Sequence, residues 1–197
     1  PEILLVVQRH ESDDDKRARI EERLRERGRD ADEVRTLPSN RGRDISAFLI
    51  GLADVLRSDE FDVIVKLHSK KSPQNGWTAG TYFKEHLYEN LLGSPGYARN
   101  LLRLFVRHPS LGIVFPPTIH VGFPTMGRAW FANRKPAKAL MERLGIDVPL
   151  DEDSPLAPFG SMFVARPQAL RVLVDAGFDW EDFPDEGGYA DGGLAHT

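Results

Sequence analysis

Cysteine is absent from the 197 residues, which removes disulfides and thiolate metal sites and fits a reducing compartment. No apolar run approaches the roughly 20 residues that span a bilayer, and no signal-peptide pattern opens the sequence. An excess of positive charge is missing too. Lys and Arg number 26 against 30 Asp and Glu, a formal net charge of -4, so nothing general points to nucleic acid. Any anion site has to be built locally. There is no internal repeat and no low-complexity segment. A Walker-type Gly-rich loop ending in Lys-Ser/Thr is also lacking, which counts against a nucleotide phosphotransferase.

What is present suits one sizeable core and a single domain over residues 1–197. Ile3-Leu4-Leu5-Val6-Val7 is a continuous apolar run, the pattern of a strand covered on both faces. Ser12 and Asp15 resemble a capping box for a charged helix to Arg27, stopped at Gly28. Further strands are expected at Val34–Leu37, Phe61–Leu67, Leu111–Phe115 and Phe159–Ala165. Helices are expected from Asp44 or Ser46 to Leu56, at Tyr82–Leu92, Tyr97–Val106 and Pro136–Leu144, and from Pro167 through Val174. Strands alternating with helices predict an α/β layered domain with a mostly parallel central sheet flanked by helices. Residues 116–131 and 147–158 read as irregular connections. Both ends read as cuts, so the chain is expected to be part of a longer protein.

In open parallel sheets, ligands bind beyond the carboxyl ends of the strands, and three segments fall there. Asn40-Arg41-Gly42-Arg43-Asp44 precedes a helix. It reads either as an anion site, with two guanidinium forks and free helix N–H groups, or as a surface turn in which Asp44 caps the helix and pairs with an Arg. Lys66-Leu67-His68-Ser69-Lys70-Lys71-Ser72 holds three lysines and no acid directly after a buried strand. It suits a diphosphate, or it is a solvated basic loop. Strand alternation turns Lys66 to the face opposite Val65 and Leu67. The tail carries Glu181, Asp182, Asp185, Glu186 and Asp191, then His196. One acid could deprotonate a sugar hydroxyl, although Asp191 stands where helix capping is the ordinary role. Trp77 and Trp130 read as loop residues that could stack on a sugar or nucleobase or fill a core edge. His120 with His68 suggests a metal pair, but no clear ligand set accompanies them; His86 reads as structural, His108 as a helix end, and His10 as facing either the site or solvent.

Taken in order, Asn40–Ile45, Val65–Ser72, Leu111–Val114, Gly160–Pro167 and Asp191–His196 resemble the motifs of the rhamnan synthesis protein F family. The match runs from about Asn40 to the end, and its most specific parts are the basic segment and Gly160-Ser161-Met162-Phe163. The resemblance implies a bacterial glycosyltransferase with a Rossmann-like GT-A-type layered domain, acting on a nucleotide sugar such as dTDP-rhamnose. Many enzymes of that fold carry Asp-x-Asp where His68-Ser69-Lys70 stands here. Cations in place of acids imply that lysine charge replaces a divalent metal, so no metal or other cofactor is expected.

By the same resemblance, Asn40, Arg41, Gly42, Arg43, Asp44, Lys66, His68, Ser69, Lys70 and Lys71 would hold the donor, and Gly160, Ser161 and Met162, joined by Trp77, would line the acceptor side. Asp191 would be the general base, with Glu186 as its rival. The implied partners are the donor and a glycan acceptor, lipid-linked in one version, with no nucleic acid. The implied location is the cytoplasm, peripheral to the inner face of the cell membrane, with membrane contact only through a parent protein or partners. The alternative is a non-catalytic glycan- or partner-binding module of a polysaccharide synthase.

Overall fold

The computed structural model describes residues 6–10, 14–29, 33–69, 76–119, 128–185 and 191–195. The chain runs β1 (Val6–His10), α1 (Asp14–Arg25), β2 (Glu33–Leu37), α2 (Arg43–Leu49), α3 (Ala53–Arg57), β3 (Ile64–Lys66), α4 (Gly76–Leu92), α5 (Pro95–Arg107), β4 (Ile113–Val114), α6 (Arg134–Leu144), β5 (Phe163–Ala165) and α7 (Arg171–Val174). A 3-10 turn at Pro167–Leu170 leads into α7.

The expected parallel central sheet, and with it the Rossmann-like GT-A-type layout, is overturned. The central sheet has three short strands in the order β3-β5-β4, and β5 is antiparallel to both neighbours. Among the described residues parallel pairing is confined to a separate two-stranded sheet, β1 beside β2. The misreading has a physical cause. A continuous apolar run reports burial on both faces, but it carries no information on strand direction.

β5 is the centre of the core. Its side chains alternate with the strand period. Met162 and Val164 pack with Phe83, Leu87, Leu91, Leu101 and Phe105 of α4 and α5. Phe163 and Ala165 pack on the other face with Phe48, Leu56, Leu170 and Val174. The helices supply their halves through regular spacing: Phe83, Leu87 and Leu91 recur every four residues, as do Leu101 and Phe105, which lines each set along one face. At about 25 cal/mol per Å² of apolar surface, burying one such side chain contributes roughly 1.5–3 kcal/mol. Ser94 caps α5 by accepting from the Tyr97 N–H at 3.1 Å, and Pro95 sits in the first turn, where no donor is needed.

The expected helix from Asp44 to Leu56 is broken at residues 50–52 into α2 and α3. Arg35 of β2 ties the smaller sheet to this pair. Its guanidinium donates to both carboxylate oxygens of Glu33, both of Asp54 and the Gly51 carbonyl. Ile3–Leu5 of the first expected strand, Ser12 of the capping box and residues 120–127 of the first irregular connection lie outside the described residues.

Candidate functional site

The first segment is held by a turn that only glycine fits. Gly42 has φ +74°, and a Cβ there would fall 2.6 Å from the Ser46 side chain and 2.7 Å from the Phe183 ring. Arg43 follows with φ +50°, and α2 starts with Gly42, not Asp44, at its N-cap. The buried Ser46 hydroxyl donates to the Arg41 carbonyl and so fixes the loop from inside. Asp44 therefore does not cap the helix. From the first turn of α2 its carboxylate reaches across to β3 and to the turn before β5.

Lys66 ends β3 and is the residue turned inward. It is 5% exposed, against 44% for Val65 and 37% for Leu67, so the alternation read from the sequence holds. Its ammonium donates to Asp44 Oδ2 at 2.6 Å and to the Ser161 carbonyl at 2.7 Å. Nζ also lies 5.6 Å from the Phe48 ring centroid and 5.9 Å from that of Phe163, where the ring faces attract a cation. Ser161, itself at φ +54°, donates from Oγ to Asp44 Oδ2 at 2.6 Å. His68 Nε2 stands 2.9 Å from the Gly160 carbonyl and 3.2 Å from Ser161 Oγ. A carbonyl can only accept, so Nε2 carries the proton. Tyr88 of α4 donates its hydroxyl to the His68 carbonyl at 2.9 Å and sets the course of the chain beyond β3.

Burial alone would raise the Asp44 carboxyl, but the charges of Lys66 and His68 and hydrogen bonds from Lys66 and Ser161 hold it below the usual carboxylate range. Burial lowers the Lys66 ammonium, and Asp44 only partly offsets this. The two directions pull against each other. We take the pair as ionised, because the carboxylate collects two donors on one oxygen and the ammonium has two acceptors and two ring faces.

Arg41 lies beside this network. Its Nε donates to the Phe183 carbonyl at 2.8 Å, and its guanidinium pairs with the exposed Asp185 at 3.1 Å. The Asn40 carbonyl accepts from the Arg43 N–H, and Ser69 is exposed. Met162 is fully buried against α4 and α5 and offers no surface. Gly160, at φ +92°, leaves no room for a Cβ, which would sit 2.8 Å from Phe83 and 2.9 Å from Leu87. Asp191 is exposed on a turn that is anchored elsewhere, the Gly192 N–H donating to Asn133 Oδ1 at 2.6 Å before α6. Lys70, Lys71, Glu186 and His196 lie outside the described residues, as does the Trp77 side chain, although its backbone belongs to α4 and not to a loop.

The Asn40–Asp44, Lys66–Ser72 and Gly160–Phe163 segments thus meet through Asp44, Lys66, His68, Gly160 and Ser161. Sequence reasoning missed Tyr88, Ser46, the Phe48–Phe163 cradle and the Phe183 carbonyl. Only Phe163 had a signal, its place in the Gly-Ser-Met-Phe motif.

The family model for rhamnan synthesis protein F matches residues 4–197. The chain belongs to the rhamnan synthesis protein F family. The family is described by a role in rhamnan synthesis. It is 33% identical over 164 residues to the uncharacterized protein WxcX of two strains of Xanthomonas campestris pv. campestris, a match covering 80% of this chain and 21% of WxcX. The chain therefore spans about a fifth of the length of these curated relatives. No solved structure matches it. Among the described residues no helix is long and apolar enough to cross a membrane.

Proposed function

We propose that this member of the rhamnan synthesis protein F family is a glycosyltransferase domain. It moves a deoxysugar, rhamnose first among candidates, from a nucleoside diphosphate donor to a cell-wall or O-antigen-type glycan. The observation that carries this reading is the single network joining the Arg-Gly-Arg-Asp, Lys-Leu-His-Ser and Gly-Ser-Met-Phe segments. Nucleotide-sugar transfer needs positive charge on the departing diphosphate, an oriented sugar and a base for the acceptor hydroxyl.

Arg41 and Arg43, with Lys70 and Lys71 from the adjoining basic segment, supply the positive charge. Lys66 acts from behind, as the buried counter-charge of Asp44. Asp191 is the proposed base and Glu186 its rival. In this reading lysine and arginine charge takes the place of a divalent metal on the diphosphate.

Calorimetric titration with dTDP-rhamnose, other nucleotide sugars and free nucleotides, each with and without EDTA, tests the reading. Saturable binding that survives EDTA and is lost on replacing Lys70 and Lys71 by Ala supports it. Binding that needs a metal ion removes the metal-free part, and binding of none of them refutes the transferase. One observation favours a second reading, a non-catalytic glycan-binding module: the Asp191 turn is fastened to Asn133 and not to the Lys66 network. Sugar transfer by the protein, abolished by Asp191→Asn, would exclude that module.

A further inference from the structure

The two oxygens of the Asp44 carboxylate stand in different circumstances. Oδ2 accepts from Lys66 Nζ and from Ser161 Oγ, both at 2.6 Å, and has His68 Nε2 at 3.6 Å. Oδ1 takes part in none of these contacts, and the side chain keeps 28% of its surface exposed. Oδ2 is already engaged by these groups, which leaves Oδ1 as the oxygen open to a further donor. An ionised carboxylate oxygen is thus held still, without a donor from the described residues, beside a His68 side chain that is 18% exposed.

Three chemical classes of ligand could meet such an oxygen. A phosphate is disfavoured, because the carboxylate repels it. The cation in direct contact, Lys66, is only 4% exposed at its side chain and already engaged with Asp44 and the Ser161 carbonyl. A metal ion is disfavoured as well. The ammonium stands 2.6 Å from the same carboxylate, and no third acid or imidazole converges on it among the described residues. A hydroxyl group fits, since it brings a donor without a charge and forms a charge-assisted hydrogen bond.

We propose that Asp44 Oδ1, with His68 beside it, is the point at which the protein grips a hydroxyl of the sugar ring, so that this end of the site reads the neutral polyol and not the phosphates. The inference rests on the transferase reading for its substrate, but not for its chemistry. Lys66 and Ser161 are positioning residues here: they fix the rotamer of Asp44 and keep its second oxygen outward.

The test compares the wild type with Asp44→Asn and with the double variant Asp44→Asn, Lys66→Met, which removes the buried charge pair and leaves no orphaned ammonium. Each is titrated with dTDP and dTDP-rhamnose, and by NMR with L-rhamnose, mannose and glucose. The preference for dTDP-rhamnose over dTDP is expected to fall about ten- to hundredfold in both variants, the size of one hydrogen bond to a charged group, while dTDP affinity stays the same. A preference unchanged in the double variant, or lost in Asp44→Asn and regained in the double, would overturn the proposal. So would a wild type that binds dTDP-rhamnose no more tightly than dTDP, although the nucleotide site would then stand. Saturable, Asp44-dependent binding of a free sugar without any nucleotide binding would uphold the hydroxyl point and sink the transferase. Binding of neither would sink both.

Discussion

Replacing Lys66 by Met should destabilise the protein far more than its place at a strand end suggests. At 2.6 Å from Asp44 the pair gains about 6 kcal/mol of attraction at an effective dielectric of 20, and desolvating two ions cancels most of that. The intact pair therefore contributes little net. The single substitution leaves a different balance, since the carboxylate keeps its burial and loses its counter-ion, and the Ser161 carbonyl loses its donor. Orphaning one partner of such a pair costs about 3–5 kcal/mol, with Asp44, 28% exposed, pointing to the lower end. Adding Asp44→Asn should recover most of the loss, because a neutral pair of similar volume has no charge to leave stranded. Urea denaturation at pH 7, followed by far-ultraviolet circular dichroism, measures all four corners of the cycle. A Lys66→Met protein within about 0.5 kcal/mol of wild type, or a double variant no better than the single, would refute the reasoning.

The remaining predictions follow from the same contacts. Asp44 titrates below its unfolded value, so its contribution is full above about pH 4 and is lost as pH falls through the lowered folded value; urea midpoints between pH 7 and pH 2.5 should fall more steeply for wild type than for the double variant. Arg35→Ala should cost only about 1 kcal/mol, because Glu33 and Asp54 are largely exposed, and the loss should shrink in 1 M NaCl. Gly160→Ala should lower stability by about 1–3 kcal/mol, since the added Cβ meets Phe83 and Leu87 at a positive φ; an unchanged melting temperature would contradict the turn geometry. Arg166→Met should cost about 2–3 kcal/mol by orphaning the Phe105 and Leu111 carbonyls that its guanidinium joins at 2.6 and 3.1 Å.

How far the sequence speaks depends on whether a feature is local. Lys66 facing away from Val65 and Leu67 follows from the strand period, and the apolar spacing of α4 and α5 marks their buried faces. Strand direction is not local. β3 and β4 run the same way only because each pairs with β5, almost a hundred residues after β3, and no residue in β3 encodes that choice. The cap offered as one of two readings of Asp44 fails for a related reason. The residue's acidic character and place before Ile45 suit a cap, yet Gly42 takes the cap and frees the carboxylate for Lys66 and Ser161. That the Asp44, Lys66 and Gly160–Ser161 segments belong together was legible from the ordered motifs, whereas Tyr88 lies on α4 with nothing in its neighbourhood to single it out.

The central position of β5 also sets an order on events during synthesis. β3 and β4 do not pair with each other; each hydrogen-bonds to β5, which is the last of the described strands to be made. At about 5–20 residues per second, Ile64–Lys66 leave the ribosome several seconds before Phe163–Ala165 exist. During that interval the α4–α5 pair can close on itself, but both outer strands keep unpaired edges and Lys66 has neither the Ser161 carbonyl nor the Phe163 ring. A nascent chain arrested before Phe163 should therefore be open to protease around Ile64–Lys66, and one extended past Val174 should be closed there. Assembly of the sheet and assembly of the polar network are one event, triggered by a single strand.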